Sequence, residues 1–457
     1  MIKNPVVNQP TRRQFVKAMS AGATLTALPG IIRAQQAPSL NVIGANSRIN
    51  VACVGFSNRF KDALLPSFLK LKDELNFDIV ALADLWSVRR EEGSAYLKEK
   101  LGHEVDVYAS DEELYEKAKN IDAVIISTAD FQHAQHSVHA VKAGKDSYTE
   151  KPMSEDMRSA NALFDAVTEA RKANNRGGAV VQVGTQFRSS AEYRVAYDYI
   201  RSGKFGDITY VDLCRNGNDP TRWRRSGLTP KLKESDIDWR KWLLDRPVVP
   251  FDARKYLEFR LFWPYSSGIP GQWMCHDIDT VAWLTGFEFP RWAMAGGGIY
   301  AWKDGRQNGD TFTSIFEYGP DDNLDKGFQA VFSSRMTNAA RRSCYKFHST
   351  AGTLDLAAGT VSNEGVERTK LETHKLAEAV AVTNTAKTGA DNMGTAHMRN
   401  WMECVRSRGV PNAPIEAGYS HTVTLIMANA SLHTGMRATF DKTTRQVMAG
   451  GKVFKGY

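Results

Sequence analysis

Acidic residues are missing from the first 37 positions of this 457-residue chain, whereas Lys3, Arg12, Arg13, Lys17 and Arg33 all fall there. The net charge of +8 is therefore misleading, because removing these five cations leaves +3. So small an excess gives no electrostatic case for nucleic acid. Cysteine is scarce. Cys53, Cys214, Cys275, Cys344 and Cys404 are odd in number and no two have C-x-x-C spacing, which argues against a disulfide framework and a zinc site. No apolar run reaches the roughly 18 residues of a membrane span. Repeats, low-complexity tracts, a G-x-S-x-G elbow and a Ser/His/Asp signature are also lacking.

What is present is ordinary in amount, with 42% hydrophobic and 24% charged residues, as in a soluble protein of two or three packed domains. The N-terminus is not ordinary. TRRQFVK (11–17) is followed by small and apolar residues from Ala18 to Ile32. This is the layout of a twin-arginine export signal. Residues 1–37 are expected to be signal peptide and linker, with cleavage between Ala34 and Ala37 and a polar stretch over 35–47. The expected partner is the twin-arginine export machinery, and the location periplasmic or secreted. That route carries folded proteins, often with a cofactor inside.

From residue 46 short apolar runs alternate with helical spacing. NVACVG (50–55), FDIVALAD (77–84), IDAVIIST (121–128), residues 146–149 and GAVVQVGT (178–185) read as strands. Residues 61–72, 87–101, 111–119, 133–144 and 154–173 read as helices. The pattern predicts a Rossmann-type doubly wound parallel sheet over 46–187. Beyond it, 208–214, 312–318 and 327–334 alternate like strands with one covered face. Helices are expected at 191–202, 271–285, 395–407 and 418–433, and loops at 303–310 and 384–394. Residues 188–457 are thus expected to form an α+β domain on an open, mostly antiparallel sheet.

A strand ending in Gly55 can lead into a dinucleotide turn, with pyrophosphate at a helix N-terminus. Gly55, Ser57, Asn58 and Arg59 are the candidate contacts of that turn. Ser57 stands where a second glycine usually lies, and Arg59 is suited to neutralising phosphate. Phe60 departs from the pattern, since its bulk disfavours close helix–strand packing. Asp84 ends the second strand, 29 positions after Gly55 instead of about 20. A carboxylate there accepts from ribose hydroxyls and favours NAD over NADP, although Arg89 and Arg90 leave NADP possible. Lys151, before Pro152, is a cation placed to stabilise an alkoxide. His133, His136 and His139 drift by about 60° per step around a helix and do not converge, so no metal is expected. RWRR (222–225) reads as a solvated loop rather than a contact for an acidic substrate.

The motifs VGxSxR, ISTADFQH, AGKDSYTEKP, QVGTQFRSS and CHDID, in this order, resemble the glucose–fructose oxidoreductase, inositol dehydrogenase and MocA family over about residues 48–440. DWRKWL (238–243) and HMRNWMECVRSRGVPNAPIEAGY (397–419) resemble its secreted bacterial members. The resemblance implies that Thr128, Asp130, His133 and Gln186 lie at the cofactor, and Glu150 and Lys151 beside nicotinamide and substrate. It implies that His276 exchanges a proton with the reacting hydroxyl. Family dehydrogenases usually carry an Asp four residues earlier, where this chain has Gln272. Asp279 is the expected substitute for orienting the imidazole. Arg260, Tyr265, Gln272 and Trp273 are the expected substrate contacts. The implied function is oxidation of a sugar, glycoside or polyol by tightly bound NAD(P), in a dimer or tetramer. Two alternatives stand: an NAD-using, redox-neutral glycosidase, and a sugar-binding protein with a decayed site.

Overall fold

The computed structural model describes residues 47–173, 178–366, 374–375 and 392–456. The signal and nearly all of the polar linker lie outside the described residues, as do 384–391 of the loop expected at 384–394. The first sheet has six strands: β1 (Ile49–Val54), β2 (Phe77–Ala83), β3 (Asp106–Tyr108), β4 (Ala123–Ile126), β5 (Asp146–Thr149) and β6 (Val181–Val183). Their order is β3-β2-β1-β4-β5-β6, and all pairings are parallel. Helices cover both faces, so β1 and β4 are apolar throughout their buried length. Val51–Val54 pairs with β2 on one side and β4 on the other. The chain order reverses at β1, which places Gly55 at the switch point where such sheets bind ligands. Strand β3 escapes sequence reading because DVY is a short polar edge.

The second sheet has eleven strands in the order β14-β13-β12-β11-β7-β10-β9-β8-β15-β16-β17. These are β7 (Ile208–Arg215), β8 (Trp292–Gly298), β9 (Thr311–Tyr318), β10 (Phe328–Arg335), β11 (Ser343–Ser349), β12 (Thr353–Asp355), β13 (Thr360–Ser362), β14 (His374–Lys375), β15 (Ala438–Asp441), β16 (Gln446–Ala449) and β17 (Lys452–Val453). Only β7–β10 pairs in parallel among the described pairings. In β9 the alternation buries Phe312, Ser314, Phe316 and Tyr318. The helices Cys275–Thr285 and Ile415–Thr434 share the core cluster formed by this face. The fold is therefore the expected one, and of the strands not foreseen WAMAGGG is glycine-rich, SCYKFHS is largely polar and the others are short.

One expectation needs correction. The helix Asn392–Ser407, assigned to the second domain, completes the core of the first. Met398, Trp401, Met402 and Val405 stand on one helical face and join Phe68, Phe77 and Tyr148. The division at 187/188 is thus not a boundary between cores. Two wide, π-type turns also lie near the site. Phe60–Leu64 precedes the helix Leu65–Leu75, and Pro270–Met274 precedes Cys275–Thr285.

Candidate functional site

A cavity of about 220 Å3 opens at the C-terminal edge of the parallel sheet, walled by Gly55, Ser57, Asn58, Asp84, Arg89 and Thr128 among others. Gly55 has φ +86°, and a Cβ there would fall 2.8 Å from Thr128 Cγ2 and 3.2 Å from the Ser127 carbonyl oxygen. The turn therefore needs glycine. Phe60 is accommodated rather than excluded. It is fully buried, meets Phe56 at 6.0 Å between ring centroids, and begins the wide turn. The close approach moves to Gly93 on the next helix, where a Cβ would lie 2.6 Å from Leu82 and 2.9 Å from Phe56.

Ser57 Oγ accepts from the Phe60 N–H at 3.2 Å and donates to Ser127 Oγ, also at 3.2 Å. Asp84 accepts the Phe56 N–H at 2.8 Å and the Trp86 N–H at 2.9 Å, one on each oxygen. It ties the turn after β1 to the end of β2, and each oxygen keeps a second lone pair. Burial raises its pKa, against these hydrogen bonds and Arg89 and Arg90. Asn58 is exposed and accepts from Arg89 at 3.3 Å. The glycine cradle and the orphaned, buried Thr128 Oγ1 fit a dinucleotide in this cavity. Gly55, Ser57, Asn58, Asp84 and Thr128 would hold it.

A second cavity, of about 250 Å3, shares Ser57, Arg59, Ser127, Thr128 and Arg260 with the first. It brings together His133, Glu150, Lys151, Gln186, Gln272, Trp273 and His276. The Lys151 ammonium donates to the Gln272 carbonyl at 2.8 Å, leaving two N–H donors. Burial lowers the Lys151 pKa despite the nearby Asp130 and Glu150. His276 is buried against Phe187 at 5.2 Å, and its Nδ1 has no hydrogen-bond partner. Burial first, then the charges of Lys151, Arg215 and Arg59, hold its pKa well below 6.5. The imidazole is therefore neutral near pH 7 and able to accept a proton. His133 faces the Pro152 carbonyl at 2.8 Å and the Thr128 carbonyl at 3.3 Å. It pins the loop after β5, with its cis Lys151–Pro152 peptide, to the loop after β4.

Four expected roles change. Arg59 turns to Glu150 Oε1 at 2.8 Å and Gln186 Oε1 at 3.3 Å, because the buried Glu150 carboxylate needs a cation. Asp130 faces the second domain, where Ser266 Oγ donates at 2.6 Å and Gln272 Nε2 at 2.5 Å. Tyr265 is a core residue, packed on Phe131 and Trp242 outside both cavity walls. Asp279 does not orient His276. It receives a forked pair from Arg188 at 2.8–3.1 Å and lies 3.9 Å from His421 Nδ1.

Other groups were not foreseen. Arg215, at the end of β7, lines the second cavity and is held by Asp277 at 2.9 and 3.2 Å. Within RWRR, Arg222 lines the second cavity and Arg225 the first. Arg224 instead pairs with the buried Glu258 and with Asp304. The interleaved arginines were the signal. His136 and His139 do meet, on Asp111 Oδ2 at 2.7 and 2.8 Å, while His133 stays apart.

Residues 49–176 match the GFO/IDH/MocA family, described as an oxidoreductase family with an NAD-binding Rossmann fold. The chain is 29% identical over 131 residues to inositol 2-dehydrogenase 3 of Saccharopolyspora erythraea. That match spans 28% of this chain and 37% of that relative. In fold it is similar to the WlbA dehydrogenase of Bordetella pertussis, solved with NADH and UDP-GlcNAcA (TM-score 0.60, 16% identity, covering 86% of this chain and 99% of that one). It is also similar to levoglucosan dehydrogenase, solved with NADH and levoglucosan (TM-score 0.62, 15% identity, 86% and 99% covered). Over residues 49–176 this chain is thus similar to the GFO/IDH/MocA oxidoreductase family and its NAD-binding Rossmann fold.

Proposed function

We propose that this protein oxidises a hydroxyl of a sugar, glycoside or polyol, using a nicotinamide cofactor that stays bound. The observation that carries this reading is the shared wall of the two cavities, which sets Lys151 and His276 beside the space for the dinucleotide. Bound there, the cofactor supplies the hydride acceptor. Neutral His276 takes the hydroxyl proton. The free donors of Lys151 stabilise the oxygen as it gains negative charge. Glu150, held by Arg59, fixes the loop that carries Lys151. Gln272 cannot relay a proton, but its amide is engaged by Asp130, so the departure at this position belongs to an intact hydrogen-bond network. This counts against a decayed binding site.

A roof over the first cavity, where the nucleotide would lie, supports retention of the cofactor. Arg225, Leu228, Tyr256, Leu257 and Phe259, all from the segment after β7, complete its wall. A retained cofactor suits export in a folded state, which we propose from the N-terminal signal. It must be regenerated in place, by a second substrate or by a reaction that is redox-neutral overall. The roof therefore also favours the glycosidase reading, in which oxidation and later reduction occur on one bound sugar. The inositol dehydrogenase relative and the two dehydrogenase folds support a polyol or sugar substrate. The exposed Tyr210, Met294 and Ile315 of the second sheet support association into dimers or tetramers through that face.

The test is mass detection of NAD(H) or NADP(H) released from the purified protein, followed by turnover of a sugar and polyol panel. His276→Ala should keep its cofactor and lose roughly 100-fold or more in kcat. A protein that is empty and fails to bind added cofactor would overturn the reading. Release of free sugar with no net change in cofactor would assign the glycosidase.

A further inference from the structure

The catalytic cavity is charged in a way that the oxidation of a neutral polyol does not require. Arg59, Lys151, Arg215, Arg222 and Arg260 line it, against the single acid Glu150. Two of these cations are matched directly, Arg59 by Glu150 at 2.8 Å and Arg215 by Asp277 at 2.9 Å. Lys151 serves the reacting oxygen. Arg222 and Arg260 remain.

Arg222 has no carboxylate within 4.0 Å among the described residues. Its guanidinium lies over the ring of Trp273 at 4.9 Å and that of Trp223 at 5.7 Å. The rings fix its position without neutralising it. Burial, Arg260 and Arg215 all lower its pKa, against the opposing effect of Asp219. Arg260 is 3.7 Å from Asp130 Oδ1, beyond hydrogen-bond reach, while Ser266 and Gln272 hold the other oxygen, Oδ2. Its Nε is buried with no hydrogen-bond partner. Two neighbouring guanidinium groups, partly desolvated and set against one acid at 3.7 Å, are costly in an empty site and favourable once an anion lies between them. Their planar forks suit carboxylate and phosphate oxygens. Cofactor phosphates do not account for the pair, because Arg222 lines only the catalytic cavity.

We infer that the substrate is an anionic sugar, whose carboxylate or phosphate is held by Arg222 and Arg260 while Lys151 and His276 act on a hydroxyl. This rests on the oxidoreductase reading above and narrows its substrate class.

The experiment titrates the purified protein with its bound cofactor, following tryptophan fluorescence, since Trp273 and Trp223 stand under Arg222. The probes are D-galacturonate, D-glucuronate and D-glucose 6-phosphate, beside D-galactose, D-glucose and myo-inositol, with hydride transfer recorded in parallel. An acid is expected to bind at least tenfold more tightly than its neutral counterpart, and less tightly as salt rises. Arg222→Gln should weaken the acid by roughly tenfold or more with cofactor content retained, and Arg222→Lys should recover part of the loss. Preference for uronates assigns a carboxylate, and preference for the sugar phosphate assigns a phosphate. Neutral sugars binding as well as acids would overturn the inference, and this comparison needs no variant. So would an Arg222→Gln protein with wild-type affinity for the acid. Anion binding through Arg222 without hydride transfer would retain the anion site and remove the oxidoreductase reading. Turnover of neutral polyols alone would do the reverse.

Discussion

His276 carries the sharpest consequence of burial. Its ordinary pKa of 6.5 is lowered first by desolvation and then by Lys151, Arg215 and Arg59. The base is active when neutral. As pH falls through 6.5 it therefore stays neutral, and is protonated only well below. We predict that kcat/KM for oxidation holds level through pH 6.5 and falls on a limb at lower pH. A pH–rate profile from 4 to 9 checks this, and an acid limb at or above 6.5 would assign the base to another group. The role proposed for His276 rests, at the level of CHDID, on family resemblance alone, because a lone histidine on a helix is more often packing. Its surroundings were not legible. Asp279 shares its helix yet serves Arg188, and Arg59 was expected at phosphate yet serves Glu150. Each was redirected by a buried opposite charge from a distant part of the chain, which no local pattern reveals.

At the scale of elements, the turn after β1 shows how a departure from a pattern can be compensated. The strand, Gly55 and the acid at the end of β2 were readable from alternation and spacing. The missing third glycine looked like damage. The structure moves the close contact from the turn to Gly93 and widens the first helical turn around Phe60. Two substitutions separate these functions. Gly55→Ala meets both a positive φ and the 2.8 Å approach to Thr128. It should destabilise the fold by about 1–2 kcal/mol or more and release the cofactor, read as a loss of bound nucleotide after gel filtration. Gly93→Ala presses on the buried side chains of Leu82 and Phe56 and on no polar group of the cavity, so it should lower Tm while the folded fraction retains nucleotide. Equal loss of nucleotide in both would mean that the turn acts only through general stability.

For the whole molecule, the order of the chain and the order of packing disagree. Sequence reading placed the boundary after residue 187 because the βα alternation stops there. The helix Asn392–Ser407 has an apolar face that was readable, but not its destination. It returns to the first sheet, where Trp401 meets Tyr148 and Phe77 at ring-centroid distances of 5.9 and 6.3 Å. Arg399 pairs with Glu74 at 2.6 Å, and Arg406 donates to the Leu75 carbonyl, also at 2.6 Å. His397 adds hydrogen bonds to the Val183 carbonyl at 2.9 Å and to Ser189 at 2.7 Å, beside the segment that carries Gln186. A fragment of residues 47–187 would therefore expose the apolar ground beneath Met398, Trp401, Met402 and Val405. We predict that it is poorly soluble or binds a hydrophobic dye, and lacks a cooperative melt. In the whole chain Trp401→Ala should cost about 3–5 kcal/mol and reduce cofactor retention as well, since the same helix steadies both core and site. A fragment that melts sharply and gives a dispersed amide spectrum would show instead that the first domain closes its core unaided, leaving the returning helix to position Gln186 alone.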